Sequence, residues 1–118
     1  MLTRERAERF AGEWYAAWNA HDLEAILDHY ADDVVMTSPL VPDLTGGDDD
    51  GLAGIDALRA YFAAGLERFP ELRFEPVALF VGVDSLVLHY EGAGGSLAAE
   101  VVFLDECDRV VRYVAHYA

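Results

Sequence analysis

The chain contains no lysine, and its 8 arginines face 22 aspartates and glutamates within 118 residues, for a formal net charge of −14. A surface field of that sign repels phosphate backbones and anionic lipid, so neither nucleic acid nor a membrane is expected as a partner. Cysteine is nearly absent too. The lone Cys107 rules out an internal disulfide and agrees with a reducing compartment. No apolar run approaches the ~20 residues of a membrane span, and Val77 to Val83 is among the longest. The opening MLTRERAERF puts charge where a secretory signal carries its apolar stretch, so a cytoplasmic protein is expected. No repeat, low-complexity block or linker divides the chain, and its length suits one domain over residues 1–118.

Nucleotide and metal signatures are missing as well. There is no P-loop, no Rossmann glycine pattern and no G-x-S-x-G elbow. Histidines 21, 29, 89 and 116 lack metal-site spacing, and the run Asp48-Asp49-Asp50 does not match the alternating ligands of an EF-hand loop. No cofactor and no metal are expected. Cys107 has no histidine at a defined neighbouring position, which argues against a nucleophile.

What is present is a helical period first and a strand period after it. Phe10, Trp14 and Trp18, with Ala7 and Ala11, predict an amphipathic helix over 4–19 that Thr3 caps. Asp22 serves as N-cap of a second short helix in which Leu23, Ile26, Leu27 and Tyr30 share a face. Val34, Val35 and Met36 then switch to strand propensity, and residues 42–51 read as an exposed loop. A third helix runs from Ile55 to about Arg68, with Leu58, Tyr61, Phe62, Leu66 and Phe69 on its buried face and Pro70 ending it. From Leu72 onward the period is two, which predicts strands at 72–81, 84–92, 97–106 and 109–117. Three helices followed by hairpins make an α+β fold, with the helices laid on one face of a curved, mostly antiparallel sheet.

Register decides which side chains meet. A two-residue turn at Gly94-Gly95 sets Ala93 against Ser96 and, counted back, His89 against Glu100. A similar turn at Cys107-Asp108 pairs Glu106 with Arg109, which puts Glu100 across from Ala115 and Val102 across from Tyr113. Val87, His89, Glu91, Glu100, Val102 and Tyr113 then share one face, and Leu88, Tyr90, Val101, Phe103, Val114 and His116 the other. Both faces are largely apolar, so each needs a cover. Helices supply one; a second copy of the chain is the simplest cover for the other, giving a homodimer through the outer sheet face. On the concave wall His89 and Glu100 read in two ways. They are a proton-transfer pair with a base near neutrality, or a cross-strand polar pair that satisfies itself.

The segment AGEWYAAWNAHDLEAILDHYADDVVMTSP, then GIDALRAYF, then FLDECDRVVRYVAHY resembles the SnoaL-like and ketosteroid isomerase-like branch of the nuclear transport factor 2-like superfamily. The resemblance covers almost the whole chain. It implies a cone-shaped roll, with a strongly bent sheet wrapped around helices, a pocket between them, and dimers through the outer face. Members include isomerases, polyketide cyclases, dehydratases and epoxide hydrolases, besides proteins that only bind or assemble, so the fold alone does not choose a reaction. Position by position, the isomerase aspartate base falls at Ser38, the oxyanion-hole tyrosine at Trp14 and the protonated oxyanion-hole aspartate at Glu100. Serine lacks basicity near neutral pH, so Ser38 is expected to offer a hydrogen-bonding hydroxyl.

The expectation is therefore a small-molecule binder for a small apolar carbonyl compound, acting on it by isomerisation, cyclisation or dehydration, or else a non-catalytic ligand-binding or dimerisation module. His89 is the expected base and Glu100 its orienter or a neutral donor. Trp14, Trp18, Tyr30, Met36, Ser38, Tyr61, Phe62, Val102, Tyr113 and Tyr117 are the candidate ligand contacts, although an aromatic stripe also reads as plain core.

Overall fold

The computed structural model describes all 118 residues. Helix α1 (Arg4–Asn19) begins where the Thr3 hydroxyl accepts a hydrogen bond from the Arg6 amide at 3.1 Å, and α2 (Leu23–Leu27) where the Asp22 carboxylate accepts from the Ala25 amide at 3.1 Å. Each cap satisfies one of the amides a helix start leaves free, so both expected caps are in place. The second helix is shorter than expected, because Tyr30 already opens strand β1 (Tyr30–Thr37). The expected loop after it contains a short helix, α3 (Val41–Thr45), and ends in strand β2 (Gly51–Ala53). Pro42 at the start of α3 explains the miss, since it reads as a turn residue yet suits a first helical turn. Helix α4 (Ile55–Arg68) follows, so four helices stand where three were expected.

Strands β3 (Glu75–Val81), β4 (Ser85–Glu91), β5 (Leu97–Leu104) and β6 (Val110–Tyr117) complete one six-stranded sheet in the order β2-β1-β6-β5-β4-β3. All pairs are antiparallel except β1 with β6, where Met36 lies beside Tyr113. The helices pack on one face, and the buried side chains come from it: Val34 and Met36 of β1, Leu86, Leu88 and Tyr90 of β4, Ala98, Glu100 and Val102 of β5, Tyr113 and Ala115 of β6. No helix is long and apolar enough to cross a membrane.

The hairpin between β4 and β5 differs from the expected one by a single residue. Its loop is Ala93–Gly95, three residues rather than two, with Gly94 (φ 67°) and Gly95 (φ 78°) in the left-handed region that glycine enters without strain. The Gly92 amide donates to the Ser96 carbonyl at 2.7 Å, and the ladder runs back with Leu88 opposite Glu100 and His89 opposite Ala99. One residue of slip turns every side chain of a strand to the other face. His89 therefore stands on the outer face beside Ala99 and Ala78, and the expected His89–Glu100 pair does not exist.

The next hairpin makes the same kind of departure with the opposite result. Its loop also has three residues, closed by the Asp105 amide donating to the Arg109 carbonyl at 2.9 Å, instead of a Glu106–Arg109 pair. Asp108 takes φ 60° there, and the Arg6 guanidinium holds its carboxylate. A bulge between Phe103 and Leu104 then restores the register, so Glu100 does face Ala115 and Val102 does face Tyr113.

Candidate functional site: an aromatic cavity around Glu100

Between the inner sheet face and helices α3 and α4 lies a cavity of about 350 Å³, partly open to solvent. That is near the lower end of the ~300–1,000 Å³ common for small-molecule sites. Of the ten candidate contacts, six stand on its wall: Trp18, Met36, Tyr61, Phe62, Tyr113 and Tyr117. The other four stand behind it. Trp14 is fully buried and its indole N–H is spent on the Tyr30 hydroxyl at 3.0 Å. Tyr30, edge-on against Phe62 and Tyr113, and Val102, between Leu86 and Tyr113 on the sheet, are buried core side chains. Ser38 is 2% exposed, and its hydroxyl accepts from the Leu40 amide at 3.2 Å where the chain turns into α3. It tunes the wall from behind, drawing the Tyr61 and Tyr117 hydroxyls toward lower pKa against the stronger upward push of their burial.

Glu100 is the chemical centre of the cavity. Its side chain lines the space and is 0% exposed to bulk solvent. One carboxyl oxygen, Oε1, accepts a hydrogen bond from the Tyr90 hydroxyl at 2.6 Å; the other, Oε2, has no partner in the protein. Burial pushes its pKa up to about 7, against the downward pull of the Tyr90 hydrogen bond and of the Tyr113 hydroxyl. The group is thus divided between acid and carboxylate near neutrality, which suits a proton carrier.

The chain has 6 tyrosines, and all of them sense this one carboxyl. Tyr15, Tyr30, Tyr61, Tyr90, Tyr113 and Tyr117 each have their pKa raised, first by burial and in addition by the negative charge of Glu100. Every one of these hydroxyls therefore remains a neutral donor at working pH.

Tyr90 was not among the sequence candidates, because the slipped register sent it outward. The signal that finds it is the alternation within β4: Leu86, Leu88 and Tyr90 are buried, while the polar His89 and Glu91 fall between them. Also unforeseen are Leu40 and Leu44 around α3, Gly65 of α4, and Phe74, Gly92 and Ala98 at the far end. Phe69, expected inside, is 36% exposed at the mouth. A larger, shallower depression of about 710 Å³ runs along the outside of α1, but its arginines and acids face solvent and it holds no buried polar group without a partner. No three His, Cys, Asp or Glu side chains are gathered so as to hold a metal ion.

The profile of the SnoaL-like domain matches residues 11–117. The chain belongs to the SnoaL-like family. A SnoaL-like protein of unknown function from Burkholderia thailandensis shares 45% identity and superposes with a TM-score of 0.93, over 100% of this chain and 99% of that one. More distant structures share the fold of this SnoaL-like chain. SalBIII, an epoxide hydrolase/cyclase-like enzyme in pyran ring formation, is 18% identical with a TM-score of 0.80, over 100% and 95% of the two chains. AclR from Streptomyces galilaeus, a candidate hydroxylase, is 20% identical with a TM-score of 0.77, over 98% and 91%. A search of curated proteins finds no match.

Proposed function

We propose that this chain binds a small, largely apolar carbonyl compound in the cavity and moves a proton on it without a cofactor, in an isomerisation, cyclisation or dehydration. The observation that carries this reading is the fully buried Glu100 with one unpartnered oxygen, the one carboxyl side chain on a largely apolar wall. As carboxylate, Glu100 accepts a proton from the carbon beside the ligand carbonyl. The electron pair left behind spreads onto the carbonyl oxygen, where a neutral tyrosine hydroxyl of the wall can donate to it. In an isomerisation the protonated Glu100 then returns the same proton to another carbon. In a dehydration it gives that proton to the leaving hydroxyl, which departs as water while the enolate pair forms the carbon–carbon double bond. Either way the carboxylate is regenerated. With His89 on the far side of the sheet, one carboxyl performs both transfers.

The test is turnover of a panel of enones, β-keto esters and epoxides by wild type, Glu100→Gln and His89→Ala. Removing a general acid–base is expected to cost on the order of 10²- to 10⁴-fold in rate, so Glu100→Gln should lose that much and His89→Ala less than twofold. Equal rates for wild type and Glu100→Gln remove Glu100 from the chemistry. Binding without any turnover assigns the protein to the non-catalytic binders of the same fold.

We further propose that two copies associate through the outer sheet face. Phe80, Val87, Ala99, Val101, Phe103 and Val114 form an apolar field there, with Phe80 57% exposed. The ionisable groups at the centre of the field are His89, Arg112 and His116, and the acids Glu75 and Glu91, paired with each other, stand at its β3–β4 end. A second acidic copy centred on this field therefore meets like charge only at its end, away from the apolar middle.

A further inference from the structure

Gly65 lies inside α4, and no feature of the protein's own packing asks for a glycine there. It is absent from the positive-φ positions, so the backbone is ordinary helix. A Cβ built on it meets only the Leu44 side chain at 4.0 Å, an ordinary contact. Glycine is the poorest helix former after proline, so the position carries a standing cost that alanine would relieve. What Gly65 does border is the cavity, on the α4 side, with Gly92, Ala93 and Ala98 of the β4–β5 hairpin also on the wall. Glu100, with its unpartnered oxygen, lines the same cavity. Its volume of about 350 Å³ is roughly twice the ~150 Å³ that accommodates a benzene ring in an apolar protein cavity.

We propose that Gly65 sets the length of ligand the cavity admits: the missing side chain leaves room for a second ring, or a chain of similar reach, to lie along α4 beyond the ring seated at Glu100. The substrate class is thereby narrowed from small carbonyl compounds to bicyclic or chain-extended ones. This rests on the cavity being the ligand site, as proposed above. Leu44 limits the space from the α3 side, so even one methyl at position 65 reduces it.

Gly12 provides a matched control. It lies in α1, is exposed, and a Cβ there meets nothing within 4 Å. Gly12→Ala and Gly65→Ala are both expected to raise Tm by ~2–5 °C through helix propensity. Calorimetric titration with acetophenone, one ring, and 2-acetylnaphthalene, two rings, then separates them. Gly65→Ala should weaken 2-acetylnaphthalene about five- to twentyfold and leave acetophenone within twofold, and Gly65→Leu should remove naphthyl binding. Gly12→Ala should change neither ligand. If wild type binds both ketones and Gly65→Ala shifts them equally or not at all, the assignment of Gly65 is overturned and the cavity reading stands. If wild type binds neither ketone, the cavity reading falls and the role of Gly65 falls with it.

Discussion

Replacing Glu100 with glutamine is expected to stabilise the protein relative to wild type as pH rises, because burial raises the Glu100 pKa. The folded-state pKa is raised from 4.5 to about 7 by burial, so between those values the folded chain holds a proton that the unfolded chain has released. The contribution of Glu100 to stability is present at the acid end and is lost as pH rises toward and through 7. Between pH 5 and pH 8 the loss integrates to about 2–3 kcal/mol. Glutamine keeps an acceptor for the Tyr90 hydroxyl and does not titrate; its own unpaired N–H groups add a cost that is the same at both pH values. The difference in unfolding free energy between variant and wild type, measured by urea titration at each pH, should therefore move by about 2–3 kcal/mol in favour of the variant. With an unfolding entropy of about 2.1 cal/mol/K per residue, that corresponds to a relative Tm shift on the order of 10 °C. The two-variant comparison cancels the repulsion among the other acids, which both proteins share. A difference that stays constant from pH 5 to pH 8 refutes the argument, as does a ¹³C carboxyl titration of Glu100 with an ordinary midpoint near 4.5.

Tyr90→Phe removes the larger of the two hydroxyl contributions that favour the charged form of Glu100, so the Glu100 midpoint should rise further by NMR titration; a midpoint that falls contradicts the assigned geometry. Val101→Asp, at the middle of the outer field, puts a charge into the proposed dimer contact and should convert dimers to monomers in light scattering at micromolar concentration; an unchanged mass places the interface elsewhere.

Much of the architecture was legible because it rests on local rules. Thr3 and Asp22 announce helix starts through the chemistry of their side chains, and the apolar period announces α1, α4 and the late strands. The short α3 was hidden because five residues carry too little period to stand out from a loop. The site was legible only in part, and the reason is a single loop residue. Turn counting set His89 beside Glu100, whereas the alternation Leu86-Leu88-Tyr90 within β4 already argued that His89 faces out. Burying three large apolar side chains outweighs the preference of two glycines for a tight turn.

The amino-acid order by itself determined the α+β class, the acidic surface, the starts of α1 and α2 and the presence of an aromatic interior, because each follows from neighbours along the chain. Tertiary structure alone decided that the Tyr90 hydroxyl donates to Glu100, that Trp14 and Ser38 stand behind the wall, and that space remains beside Gly65. Those outcomes depend on the length of one loop, on a bulge that corrects another, and on how α3 and α4 close over the sheet. Such distances between residues far apart in sequence arise only when the whole core packs at once.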